Sequence, residues 1–166
     1  CFAPFTLVKT NQTFFMIGGG AEEDPAIWQF EGTAFKKIST LAIDQVLASY
    51  SDDELETAFS FYHGYKGHYF VYFTLPDYTF IYDLSNNYWL ERKSTINNQQ
   101  VRFRVNSMTT AYGLLWVGDS LDGRIGTLEA QELGEYGEDI ISQWSTMPFG
   151  NYQGFSAPRL ELTAET

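Results

Sequence analysis

An all-β fold of β-propeller-like blades, built from antiparallel meanders with one or two short helices, is predicted by three features of the sequence. Aromatic residues reach 17% while charged residues stay at 19%, the balance of packed sheet rather than of disorder. Short aromatic and β-branched runs are separated by Gly, Pro, Asn and Ser breaks, the punctuation of hairpins. Leading strands near Phe14, Tyr69 and Leu114 recur at intervals of roughly 45–55 residues, within the range of propeller blades and above that of solenoid turns.

The first meander spans residues 13 to 39, as "TFFMIGGG", "AIWQFEG" and "AFKKIST". Between it and the second lies "TLAIDQVLASYSDDELETAF", where Ile43, Val46 and Leu47 have helical spacing and Ser51 with Glu54 forms a capping-box pattern. The second meander, residues 68 to 94, reads "HYFVYFTL", "YTFIYDL" and "YWLERKS". In it Tyr69, Val71 and Phe73 alternate with Phe70 and Tyr72, and a run apolar on both parities suits a strand covered on both faces. "LSNN" supplies residues that tolerate left-handed backbone in a tight connection. Trp89 and Leu90 then give way to Glu91, Arg92 and Lys93, the gradient of an outer strand that discourages edge pairing. "VRFRV" is read as a strand with Val101, Phe103 and Val105 on a core face and Arg102 and Arg104 outside. The third meander, Gly113 to Gln131, offers "GLLWVGDS" and "GRIGTLEAQ". The domain reading is therefore blades over residues 1–131, followed over 132–166 by an acidic surface loop, "ELGEYGED", and a pair of strands, "IISQWSTMPF" and "APRLELTAET".

Charge and cysteine content narrow the function. A net charge of −11 argues against a nucleic-acid clamp, which needs clustered Lys and Arg to displace counterions. Cys1 is the only cysteine, which rules out an internal disulfide framework and fits a reducing cytoplasm. No run approaches the roughly 18 apolar residues of a membrane helix and no leader pattern opens the chain, so a soluble protein with no membrane partner is expected. The start at Cys1 rather than Met, with three meanders where closed propellers need at least four blades, suggests a portion of a longer polypeptide.

No catalytic or cofactor motif emerges. His63 and His68 flank "GYKG" in a predicted hairpin turn, without a third ligand, and read as exposed turn residues. "GGG" at residues 18 to 20 lacks the Gly-Lys-Ser/Thr of a phosphate loop and runs into acidic "AEEDP", so it reads as a blade turn. Asp119, Asp122 and Gly123 form a turn that lacks the ligand spacing of a calcium loop. Asp77, Asp83 and Asp119 are candidates for a glycosidase pair on adjacent blades, yet all sit in or beside predicted turns, where Asp is favoured for backbone reasons. No metal and no cofactor is expected. Tyr62, Tyr65, Tyr112, Tyr136 and Tyr152, in or near loops, are candidate subunit contacts, with ordinary loop packing as the plainer reading of each.

"CFAPF", the strand ending in "IGGG", "IDQVLASYSDDELETA", "HYFVYFTLPDYTFIYDLSNNYWLERKS" and "GLLWVGDSLDGRIGTLEAQ" stand in an order that resembles the tail hub, or packaged-DNA stabilization, proteins of short-tailed bacteriophages. The resemblance rests on collinearity and implies a non-enzymatic virion component, assembled in the bacterial host cytoplasm. It implies a homo-oligomeric ring, commonly of six copies, below the portal and its adaptor. Such a ring extends the portal channel, helps retain packaged DNA, permits its ejection and offers attachment for the needle or spikes, and DNA passes through without specific binding. Members of that family are longer, and this stretch corresponds to their middle-to-late portion. The alternative is a carbohydrate-binding or glycoside-hydrolysing propeller, which predicts an aromatic-lined central pocket with two opposed carboxylates.

Overall fold

The computed structural model describes residues 3–11, 13–20, 23–129, 132–143 and 145. Their backbone forms antiparallel sheets joined by short hairpins, as predicted. A 3-10 turn, Pro4–Thr6, precedes β1 (Val8–Lys9), β2 (Phe14–Gly18), β3 (Ala26–Phe30) and β4 (Phe35–Lys37), which pair in chain order as a four-stranded sheet. Helices α1 (Leu41–Ala48) and α2 (Asp52–Glu56) follow. The second sheet is β5 (Phe59–Tyr65), β6 (His68–Thr74), β7 (Thr79–Asp83) and β8 (Tyr88–Glu91). A two-stranded ribbon, β9 (Lys93–Ile96) with β10 (Gln99–Arg102), leads to the third sheet, β11 (Val105–Ala111), β12 (Leu114–Asp119) and β13 (Ile125–Thr127). A small hairpin, β14 (Gly134–Glu135) with β15 (Glu138–Asp139), ends the regular structure among the described residues.

The second sheet is the middle layer. Val71, Phe73 and Tyr82 point to one side, where they join Phe15, Ile17 and Ile27 of the first sheet and Ile43, Leu47 and Leu55 of the helices. Tyr72 and Ile81 point to the other, against Phe103, Val105 and Val117. The apolar double parity of β6 thus reflects two cores, one on each face of one strand. Rings interlock across both: Phe15 lies 6.1 Å from Tyr82, and Tyr72 lies 6.2 Å from Phe103. The Trp89 indole N–H donates to the carbonyl of Ile38 at 2.9 Å, tying β8 to the chain that leaves β4.

The helical stretch closes one rim of the first core. Thr40 caps α1 by accepting from the Ile43 N–H. Ser51 and Glu54 form the capping box their spacing predicts, the Ser51 hydroxyl accepting from the Glu54 N–H while the Glu54 carboxylate accepts from the Ser51 N–H.

Each sheet starts one strand earlier than the sequence reading has it. Phe14, Tyr69 and Leu114 lie on β2, β6 and β12, the second strands of their sheets. The missed first strands carry weak patterns: β1 has two residues, β5 is interrupted by His63 and Gly64, and β11 shows Ser, Thr and Asn on its open face. "VRFRV" is corrected too. β10 ends at Arg102 and β11 begins at Val105, so strict alternation breaks between them. Phe103 and Val105 are buried as expected, whereas Val101 is exposed and Arg104 is buried. The acidic "ELGEYGED" is a hairpin rather than a loop. The two strands predicted beyond it fall mainly outside the described residues, and no strand is assigned among residues 140–143.

Because Phe73 is fully buried between the first two sheets, Phe73→Ala is expected to lower unfolding free energy by about 3–5 kcal/mol. Thr109→Ala, on an open strand face, should stay within about 0.5 kcal/mol. Urea denaturation of the two variants checks both.

Candidate functional site

The second and third sheets splay apart on one side and leave a groove of about 530 Å³ lined by Phe70, Tyr72, Leu90, Phe103 and Val117, with His63 and Arg92 on its wall. The β14–β15 hairpin lies along its margin. Glu135 accepts from the Ser94 hydroxyl at 2.9 Å and Glu138 from the Asn97 N–H at 3.3 Å, which anchors the hairpin to the β9–β10 ribbon. None of the carboxylates weighed for hydrolysis lines this groove. Asp77 accepts from the Tyr50 hydroxyl at an exposed turn, and burial foremost pushes that phenol up to about 12. Asp83 is fully buried at the end of β7, where it accepts from the Ser85 N–H at 2.8 Å and from the Asn86 amide at 2.9 Å and lies 3.2 Å from His68 Nδ1. The carboxylates that do reach the groove, Glu129, Glu132 and Glu135, come from one stretch of chain.

Asp119 organises the far end of the third sheet. Arg104 donates through Nε at 2.9 Å to Asp119 Oδ1 and through its terminal nitrogen to Oδ2, a bidentate pair with both side chains nearly out of solvent. Asp119 also accepts from the Leu121 N–H at 3.2 Å, the turn-capping role its sequence position predicts. The hydrogen bonds from Arg104, aided by Asp122 and the Leu121 N–H, hold the Asp119 carboxyl well below the usual carboxylate range despite its burial. Arg104 rests 4.0 Å from the centroid of Tyr136 and Arg124 rests 4.4 Å from it. Arg124 in turn pairs with Asp122 at 2.6 Å. The tyrosine at the tip of the β14–β15 hairpin is thereby held between two guanidinium groups, which latches the hairpin to the third sheet.

The predicted contact tyrosines separate into different environments. Tyr62 is half-buried on β5 and stacks on Tyr69 at 6.0 Å. Tyr65 ends β5 at the groove's edge, with Lys66 over its ring. Tyr136 is engaged by Arg104 and Arg124. Tyr112 is 98% exposed. It occupies the first central position of the β11–β12 hairpin with φ +55°, followed by Gly113 at +76°, the paired left-handed geometry of a two-residue type I′ turn. Tyr152 lies outside the described residues. His63 is a correction: it is a buried strand residue of β5 rather than an exposed turn residue, and the turn is formed by Lys66 and Gly67. His68, at the start of β6, is exposed as expected. Among the described residues no three His, Cys, Asp or Glu side chains meet in a metal-holding group.

Among the described residues the cations are occupied within the chain. Lys36 pairs with Glu31, Lys37 with Asp44 and Lys93 with Glu91. Lys9, Lys66 and Arg92 lie over Phe14, Tyr65 and Phe103, while Arg102 donates to the Leu75 carbonyl. The sequence conveyed the acidic excess but not this internal pairing, which depends on which strands become neighbours.

Asp119→Asn keeps the shape and leaves Arg104 buried without its counter-charge, so a loss of about 3–5 kcal/mol is expected. The folded carboxyl titrates below its unfolded value, so its contribution is complete above about pH 4 and is lost as pH falls below that. The variant should lack this acid limb in urea titrations followed at successive pH values. His63 shows the same sign: burial, with the Arg92 charge, pushes the imidazole down, and stability falls as pH drops through about 6.5. His63→Phe should remove that slope.

A family model described as "Bacteriophage P22 Gp10, beta-propeller" matches residues 1–132, from the chain start through the third sheet and up to the β14–β15 hairpin. No curated protein matches the chain at a significant level. With successive antiparallel sheets stacked face on face over the matched range, the chain belongs to this family of structural phage tail hub proteins that stabilise packaged DNA.

Proposed function

We propose that this chain forms part of a ring-shaped hub that continues the portal channel below its adaptor, commonly with six copies, and carries the needle or spikes. It acts without catalysis, is assembled in the host cytoplasm and is incorporated into the virion. In this reading the blades over residues 1–131 are the scaffold and residues 132–166 an appended region.

The observation that carries the conduit role is the disposition of charge. A net charge of −11 is combined with Lys and Arg side chains that already face carboxylates, rings or carbonyls. Such a surface has few cations with which to replace the counterions of a phosphate backbone, and repulsion acts only within about 8 Å at physiological salt. DNA can be confined by a ring of this kind without adhering to it. Tyr112 supports a subunit contact. It holds a left-handed backbone that costs a bulky L-residue about 1–2 kcal/mol, and its ring is almost wholly in solvent, so the side chain is available to a neighbour.

The assembled protein should show no retention on immobilised duplex DNA at physiological salt, and tight retention would refute the low-adhesion channel. Tyr112→Asn is expected to keep or raise monomer stability by up to about 1 kcal/mol, since Asn accepts the left-handed turn. The same variant should weaken ring formation, as read by sedimentation, if Tyr112 contributes a subunit contact.

A further inference from the structure

The groove between the second and third sheets sorts its polar groups by burial. Its wall is apolar and aromatic, with Phe70, Tyr72, Leu90, Phe103 and Val117. Its volume of about 530 Å³ falls within the roughly 300–1,000 Å³ that small-molecule sites occupy. Two donors stand on that wall. His63 is only 8% exposed. Its ring meets Tyr65 and Phe70, and neither ring nitrogen is hydrogen-bonded among the described residues. Arg92, whose charge reaches His63, is half-buried. It lies 4.4 Å from the Phe103 centroid and hydrogen-bonds the Tyr72 hydroxyl, with no carboxylate partner among the described residues. A guanidinium carries five N–H donors in one plane, so a ring and one hydroxyl leave most of them unused. The carboxylates stand at the rim instead. Glu129 and Glu132 are exposed, and half-buried Glu135 is engaged by the Ser94 hydroxyl at 2.9 Å.

We propose that this groove binds a small ligand with an apolar body and a single carboxylate, the carboxylate on Arg92 and His63 and the body against Phe70, Leu90 and Val117. Arg92 supplies a positive charge and paired N–H donors that match both oxygens of a carboxylate. His63, as a neutral imidazole, adds one N–H. The rim carboxylates repel ligands that carry several negative charges, so phosphates and polyanions are disfavoured. An uncharged ligand of the same shape enters the apolar wall but leaves Arg92 without a counter-charge. The site lies within one subunit, between two of its own sheets, and does not rest on the ring reading. It adds a ligand to a chain otherwise read as scaffold.

Titration calorimetry of the 166-residue chain with octanoate, 1-octanol and octylammonium, three probes with one apolar body and different heads, tests it. Octanoate should bind at a single site, about tenfold or more tighter than either of the others. Arg92→Gln, shown to be folded by near-ultraviolet circular dichroism, should bring octanoate down to the level of octanol and leave octanol unchanged. Nuclear magnetic resonance of the wild type reads the position. His63 and His68 are the two histidines of the chain, so the His63 ring signal should move on addition of octanoate while that of exposed His68 stays. Absence of saturable binding overturns the site, as does equal affinity for octanoate and octanol. A preference for octylammonium would make the rim carboxylates the governing groups and overturns it too. An unmoved His63 signal, or a folded Arg92→Gln that binds octanoate as wild type does, has the same consequence.

Discussion

The fold depends on burial of the second sheet on both faces. A sheet with one wet face needs only alternate apolar residues, but β6 must supply a core residue at nearly every position, and Val71, Tyr72 and Phe73 do so in succession. Phe103, in the connection after β10, packs the second core, so the chain must pass that point with its ring inward. The neighbouring Arg104 is then drawn inside as well. A buried guanidinium is tolerable only with a hydrogen-bonded counter-charge, and Asp119 at the end of β12 supplies it. The polar cluster at the far end of the third sheet is thus a consequence of apolar packing at the near end.

That dependence explains which parts of the structure were legible in the sequence. The meanders after Phe14, Tyr69 and Leu114, the two helices and the capping box are local, and their patterns suffice. Asp119 as a turn cap was legible for the same reason. The first strand of each sheet was not, because β5 and β11 take their order from partner strands more than from their own alternation. Arg104 is the clearest case. In isolation "VRFRV" reads as a half-buried strand, and nothing local shows that the strand breaks after Arg102 or that an aspartate fifteen residues later will meet the guanidinium. The charge-pairing pattern signalled in sequence, acidic excess, says nothing about who pairs with whom. Tyr136 in an acidic, glycine-containing stretch likewise reads as a loop residue until Arg104 and Arg124 are seen on its two sides.

The family assignment and the physical reading meet at the level of sheet stacking. A blade covered on both faces has no free apolar surface, and only the terminal sheets of a stack retain one. In this chain the first sheet's outer face carries Phe14, Met16, Trp28, Phe30 and Phe35, and the third sheet's outer face mixes Ser107 and Thr109 with Leu114, Trp116 and Ile125. A propeller covers each such face with its next blade, so large apolar side chains on both outer faces agree with the match to a propeller family over residues 1–132.

Acidity and assembly then act together. A strongly negative protein that joined its copies through ion pairs would lose cohesion to its own repulsion and would be sensitive to salt. Packing and apolar burial are screened little by ions and would avoid this. The cations are free to act inside the subunit, where Arg104 and Arg124 fix the hairpin and Arg92 lies over Phe103. Negative charge remains in excess, and in the proposed conduit role it would limit adhesion to a passing polyanion. In the proposed hub, cohesion between copies and low friction toward DNA would compete if both were electrostatic, so cohesion is expected from packing rather than from ion pairs.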